Sequence, residues 1–288
     1  MAHITKNNRF VRELLKSPLA IFGLFAMVAT CVVAIAAPLL APLDPGLIDV
    51  TKRLTPPAFT DGGSFEHILG TDSLGRDVLS RIIYGSRVSL IIGVSAVALG
   101  GVLGVVLGLL SGYFGGIVDD IIMRLADIQM AFPFILIAIT ILAVMGPGLQ
   151  NLVIVLGFTG WVTYGRVVRG QIFSLREKEF VESAASIGSS HARIIFKHLL
   201  PNTWASVIVI TSFAVAHTII VEASLSFLGL GVKPTVPTWG GMVAEGRDYI
   251  VNGWWIVTFP GAAIASAVLG INIFGDWLRD YFDPRLRE

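Results

Sequence analysis

The chain has 288 residues, 54% of them hydrophobic and only 14% charged, a balance far from that of a soluble globular domain. Its net charge of +1 supplies no reason to expect a nucleic-acid partner. The single cysteine, Cys31, excludes a disulfide framework.

A hydrocarbon core of about 30 Å takes roughly 20 apolar residues per helix. By that measure six spans are predicted, at 18–40, 88–110, 122–145, 152–170, 204–228 and 254–275. Residues 1–17 form an N-terminal interfacial segment, in which Phe10, Val11, Leu14 and Leu15 face away from Arg9, Arg12 and Lys16, as in a short helix lying on a membrane surface. The run at 18–40 is too long for the apolar part of a cleaved signal, and five more spans follow, so it reads as a retained first helix. Residues 18–87 comprise that helix and an outer loop. The loop opens with turn formers (Pro42, Asp44, Pro45, Gly46), and Asp72 is expected to cap a helix from about Leu74 to Tyr84.

Residues 88–275 make up a core of five helices. In the second span Gly100, Gly104, Gly108 and Gly112 recur every four residues, which lets another helix approach closely, within the subunit or in a partner. The third span must begin among Asp119, Asp120, Arg124 and Asp127. Between the fourth and fifth spans lies a polar stretch, 171–203, with two short helical patterns hinged at Gly188-Ser189-Ser190 and stopped by Pro201. Phe180, Val181, Ala184, Ala185 and Ile187 mark one apolar side of it. Ala192, Ile195, Phe196 and Leu199 form a second stripe, and Ser189 or Ser190 can cap the second helix. A membrane protein that holds a helical hairpin out of the bilayer uses it to grip something soluble.

The fifth span carries two ionisable groups, His217 and Glu222, five residues apart and so on different faces. His217 is expected to play a buried hydrogen-bonding role. Glu222, near the outer end, is expected to anchor the outer loop, with a gate or pore-lining role as the alternative. The second outer segment, 229–253, is rich in Gly and Pro and contains a short helical pattern around Met242–Arg247. Residues 276–288 form the C-terminal tail. Two thirds of the 21 Lys and Arg fall on the side shared by both termini and the 171–203 loop, so that side is expected to be cytoplasmic.

Catalytic chemistry is missing. There is no Gly-Lys dipeptide and hence no phosphate-binding loop, no H-E-x-x-H, no G-x-S-x-G, and the five histidines have no metal-ligand spacing. No catalytic residue, metal site or resident cofactor is expected. So few buried charges also speak against a proton- or sodium-driven carrier, which together with a membrane enzyme is the competing reading.

The 171–203 loop resembles that of the inner-membrane permease subunits of binding-protein-dependent ABC importers, whose pattern is E-A-A-x3-G-x9-I-x-L-P. Here it reads Glu182, Ser183, Ala184, three residues, Gly188, nine residues, His198, Leu199, Leu200, Pro201. Ser183 replaces the first Ala and His198 replaces Ile; the His-Leu-Leu-Pro-Asn ending is similar to the peptide-importer branch. The stretches from Leu69 to Arg81, Glu222 to Gly231, Trp239 to Met242, and Gly275 to Asp280 followed by Asp283-Pro284-Arg285 resemble the second permease of dipeptide, oligopeptide and nickel importers.

The resemblance implies an all-α membrane protein of the type I importer permease fold, with six transmembrane helices and a cytoplasmic coupling-helix hairpin. Its partners would be a homologous permease, two cytoplasmic ATPase subunits that bind the ATP and Mg, a periplasmic or extracellular solute-binding protein, and membrane lipid. The ATPase-coupling residues would be Glu182, Ser183, Ala184, Gly188, Leu200 and Pro201, with Glu182 near the contact, Ala184 small enough for close approach and Gly188 making the turn. The cargo would be di- or oligopeptides, with a nickel chelate or glutathione as alternatives, carried across a bacterial inner membrane.

Overall fold

The computed structural model describes residues 10–282, and it is helical almost throughout. Lys6, Arg9 and the Asp283-Pro284-Arg285 motif lie outside the described residues. Ser17 starts the first span by accepting the Ala20 N–H on its Oγ, with Pro18 in the first turn where a missing N–H does no harm. Helix α1 then runs Pro18–Ile35. The segment before it, 10–15, is helical, and the Phe10 ring packs edge-on to Trp277 and Tyr281 near the end of the chain.

The second span begins ten residues earlier than hydropathy predicts. Asp77, not Asp72, is the cap: its Oδ2 accepts the Ser80 N–H at 2.7 Å, and α2 runs unbroken over Val78–Phe114. The expected separate helix at Leu74–Tyr84 is therefore the first turns of this span. At about 1.5 Å per residue, 37 residues are longer than the hydrocarbon core is thick. Gly115 and Gly116, both at positive φ, then turn the chain sharply into α3 (Gly116–Met130).

The third span is broken. Helix α3 ends at the Ala131–Pro133 turn, and α4 (Phe134–Met145) leaves it at an angle of 86°. Pro133 cannot donate to a preceding turn, so an apolar run that reads as continuous is cut there. The fourth span, α5, covers Leu149–Arg176. After the hairpin helix α6 (Glu179–Ser186), the chain is helical from His191 to Phe227 without interruption (α7), so the fifth span and the second half of the hairpin are one helix. A short α8 (Trp239–Gly246) precedes α9 (Trp255–Phe282), which extends the sixth span past 275. Among the described residues, five helices are long and apolar enough to cross a membrane, or six if α3 and α4 count as one broken span.

The centre of the bundle is the α2–α5 pair. The four predicted glycines all face α5 within the same chain. A Cβ at Gly100 would lie 2.7 Å from Gly157 O, one at Gly108 2.6 Å from Gly165 O, and one at Gly112 2.7 Å from the Ile172 Cβ; at Gly104 it would run into Trp161 O. The two backbones therefore touch along about four turns, a proximity that side chains would forbid. Helix α1 packs on α9 in the same way, with Gly270 against Ala26.

Gly160 offers the contrast, since a Cβ there meets nothing within 4 Å. Gly108→Leu is expected to lower the melting temperature of the detergent-purified protein, at an overpacking cost of about 1–3 kcal/mol or more. Gly160→Ala should leave it unchanged, and equal effects of the two would contradict the packing described.

Candidate functional site

Helix α6 buries only Val181 and Ala184, against Ile172 and Val168 of α5 and Ile194, Ile195 and Leu199 at the root of α7. Burial of Val181 alone contributes about 2 kcal/mol. The cluster that receives them continues to Tyr164 on α5 and Val97 on α2. Glu179 and Glu182 stand in the first turn of α6, where the helix dipole favours negative charge. Glu182 and Ser183 are exposed, as are Phe180 (42%) and Ile187 (84%). The hairpin thus has an inward face seated on the bundle and an outward face, part apolar and part acidic, that no other described residue covers. Ala184, named among the coupling residues as small enough for close approach, is buried against the chain's own core beside Val181.

Gly188 takes φ +79° at the bend, and Ser190 caps α7 by accepting the Arg193 N–H. The stripe expected beyond it is rotated: Ile194, Ile195 and Leu199 are buried while Ala192 and Phe196 are exposed. The reason is a π-helical turn over Ile194–Leu199, in which Leu200 N–H reaches back five residues to Ile195 O. It adjoins Pro201, which has no N–H to give; Asn202 Nδ2 donates to His198 O at 2.6 Å instead. Leu200 is half-buried and Pro201 exposed at this joint.

Polar contacts at the same end tie the hairpin root to α2 and α3. Asp119 accepts from both Arg169 and Ser111, and Arg176 Nη1 donates to Gly112 O at 3.2 Å. The two guanidinium groups flank the Phe173 ring at 4.6 and 4.5 Å. Tyr113 Oη and His191 Nδ1 are 2.7 Å apart. Apart from Gly112, named for helix packing, sequence reasoning singled out none of these as site residues. Their signal was opposite charge at the ends of neighbouring spans, Asp119 with Arg169 and Asp127 with Arg166.

A cavity of about 750 Å³ opens between α2, α5, α7 and the break in the third span. Gln129 of α3 holds the break in place: its Nε2 donates to Thr159 O at 2.6 Å and its Oε1 accepts from Trp161 Nε1 at 2.9 Å. Among the described residues no Asp, Glu, Lys or Arg side chain lines the cavity. His217, expected to be buried and hydrogen-bonded, is exposed to it and has no hydrogen-bond partner among the described residues. The spacing of two residues on a helix could not say which face would be left open.

At the opposite end, the segment before α2 is clasped to α8. Asp72 accepts from Arg76 Nε at 2.7 Å and from Arg81, and Glu245 Oε2 takes Arg76 Nη2 at 2.6 Å and Arg81 Nη2 at 3.0 Å. Arg76 and Arg81 are 7% and 2% exposed, so both guanidinium groups have left water and depend on these carboxylates. Glu222 lies at this end too, 1% exposed; Oε1 accepts the Ser226 hydroxyl at 2.8 Å, and the side chain of Thr238, in the outer segment before α8, is its second polar partner. Its neighbour Gly240 of α8 packs on Ala223 too closely for a side chain. Glu222 is not among the residues that line the cavity. Among the described residues no group of three or more His, Cys, Asp or Glu could hold a metal ion.

Residues 104–288 match the family model described as "Binding-protein-dependent transport system inner membrane component", and residues 8–57 that of the "N-terminal TM domain of oligopeptide transport permease C". The chain is 42% identical, over 96% of its length and 89% of the relative's, to the dipeptide transport system permease protein of Alkalihalophilus pseudofirmus. It is also 42% identical to the di/tripeptide transport system permease protein of Pseudomonas aeruginosa, over 93% of the chain and 89% of the relative. The glutathione transport system permease protein of Pectobacterium atrosepticum is 42% identical over 79% and 76%. A solved structure of the methionine ABC transporter MetNI in an inward-facing conformation contains a chain of the same fold, with a TM-score of 0.55 at 17% identity, covering 70% of this chain and 95% of that one.

The clasp and the exposed pair Arg247–Asp248 give a direct comparison. Arg81→Ala leaves buried carboxylates short of a partner and is expected to cost about 3–5 kcal/mol in thermal or denaturant unfolding. Arg247→Ala should change stability by less than about 1 kcal/mol.

Proposed function

The chain belongs to the family of binding-protein-dependent inner-membrane transport components, and is a permease subunit of an ABC importer whose ATP is bound by partner ATPases; from that premise we propose that its cargo is peptides. The observation that carries the peptide reading is the agreement of two features. Relatives at 42% identity over more than nine tenths of the chain are named for di- and tripeptides. The cavity wall offers neutral hydrogen-bonding and apolar groups, with no cluster of ligands for a bare metal ion. A nickel chelate and glutathione are the alternatives that a transport assay distinguishes.

In this reading the hairpin side is cytoplasmic, in keeping with the excess of Lys and Arg there, and the described segments next to both termini meet on that side through Phe10, Trp277 and Tyr281. The exposed face of α6, with Glu182, Ser183, Phe180 and Ile187, docks in a cleft of one of two ATPase subunits. Gly188 and the Leu200–Pro201 joint set the angle at which that face is presented. The inner face, through Val181 and Ala184, hands the displacement to α5 and α2. A homologous permease completes the pathway, and a periplasmic or extracellular binding protein delivers the peptide at the clasp end. ATP-driven approach of the two hairpins is the two-state input that rocks the bundle.

The complex with its partner permease, ATPases and binding protein, reconstituted in vesicles, should show ATP hydrolysis stimulated by peptide-loaded binding protein. Glu182→Lys, which reverses charge on the exposed face of α6, is expected to abolish that stimulation while the subunit still inserts and assembles. Stimulation only by a metal chelate would overturn the cargo, and normal uptake by the Glu182→Lys complex would overturn the docking role.

A further inference from the structure

The polar groups around the cavity are almost all engaged by the protein itself. Gln129 bridges α3 and α5, Tyr164 Oη donates to Thr211 Oγ1 at 3.2 Å, and the Thr159 and Thr218 hydroxyls donate to carbonyls of their own helices. Two lining side chains remain without a hydrogen-bond partner among the described residues, Thr163 and His217. A threonine in a helix can turn its hydroxyl to a carbonyl of the preceding turn. An imidazole has no such local recourse. His217 projects from α7 into a charge-free space, its ring centre 6.4 Å from that of Phe134 at the start of α4.

We propose that His217 hydrogen-bonds the backbone of a peptide passing through this cavity, with the Phe134 ring beside it, so that His217 is a substrate contact of the pathway common to peptides of different sequence. The inference rests on the peptide reading above. A neutral imidazole presents one donor and one acceptor, the same complement that a peptide group presents. The contact is independent of side-chain charge, which suits a pathway that must pass many sequences. Neither a proton relay nor a cation site fits the position, because no carboxylate lines the same cavity. Room for cargo is kept by Gly160, whose missing side chain faces open space on the same wall.

The test uses the complete importer in vesicles, supplied with binding protein and a mixed library of dipeptides, with luminal peptide measured by mass spectrometry and expressed per ATP hydrolysed. His217→Ala is expected to lower delivery per ATP about tenfold, the order of one or two lost hydrogen bonds. His217→Gln, which keeps a donor and an acceptor, should restore most of it, and His217→Phe should not. Binding-protein-stimulated ATP hydrolysis reports that each complex is folded. Rescue by Phe and not Gln would assign His217 to packing and overturn the proposal, as would an Ala variant with unaltered delivery. A wild-type complex that accumulates no peptide brings down the peptide reading and this inference with it; normal wild-type delivery with an unaltered Ala variant brings down the inference alone.

Discussion

Backbone contact between α2 and α5 is the constraint on which the rest of the structure depends. In lipid there is no hydrophobic gain from bringing two apolar helices together, so close van der Waals contact has to supply the attraction. Gly100, Gly104, Gly108 and Gly112 provide it by removing the α2 side chains from the contact line, so that α5 backbone and Cβ atoms approach directly. Once α5 is fixed against α2, its two ends acquire their roles. At one end Val168 and Ile172 form the floor on which α6 sits, and near the middle Thr159, Gly160 and Tyr164 form a wall of the cavity. The hairpin and the cavity are thus two regions of one packed object, joined through the cluster that holds both Val181 and Tyr164. No loosely packed layer separates the two regions, which is the physical basis for the coupling proposed above.

Charge is distributed to match. The cavity wall is neutral, whereas both ends of the bundle are held by ion pairs: Asp119 with Arg169 at the hairpin end, and Asp72 and Glu245 with Arg76 and Arg81 at the clasp. The pairs of Asp72 with Arg76 and Arg81 are buried, and such pairs contribute little net stability yet penalise any arrangement that separates them. They therefore favour rigid-body motion of the subunit over internal deformation. The irregular turn is elsewhere, at Ile194–Leu199, where the π-helical register before Pro201 joins the hairpin to the span.

Much of this was legible in the sequence. Hydropathy located the spans because the bilayer requires long apolar runs, and the Gly188 hinge with its serine cap was readable from local backbone chemistry. The four-residue glycine period announced a close contact but not its partner, since a helix face carries no label for what covers it. Three features were not legible. The break at Ala131–Pro133 hides inside an uninterrupted apolar run, because hydropathy sums over composition and ignores a missing N–H. The start of α2 at Val78 turned on a choice between Asp72 and Asp77 as cap, and only the tertiary demand of Arg76 and Arg81 for Asp72 decides it. The open position of His217 depends on how α7 is rotated against α2 and α9, which one helix's period does not specify.

The central claim is that the hairpin and the α2–α5 pair move as one body. Its most direct measurement is a spin-label distance within this subunit of the assembled importer, between exposed positions Lys178 beside α6 and Val102 on α2, with Cys31 replaced by Ser. The account predicts one distance distribution, unchanged between the nucleotide-free and ATP-trapped complexes, while the distance from the hairpin to the partner permease shortens. A Lys178–Val102 distribution that shifts or splits when ATP is trapped would show that the hairpin swings on its own root, and would contradict the account.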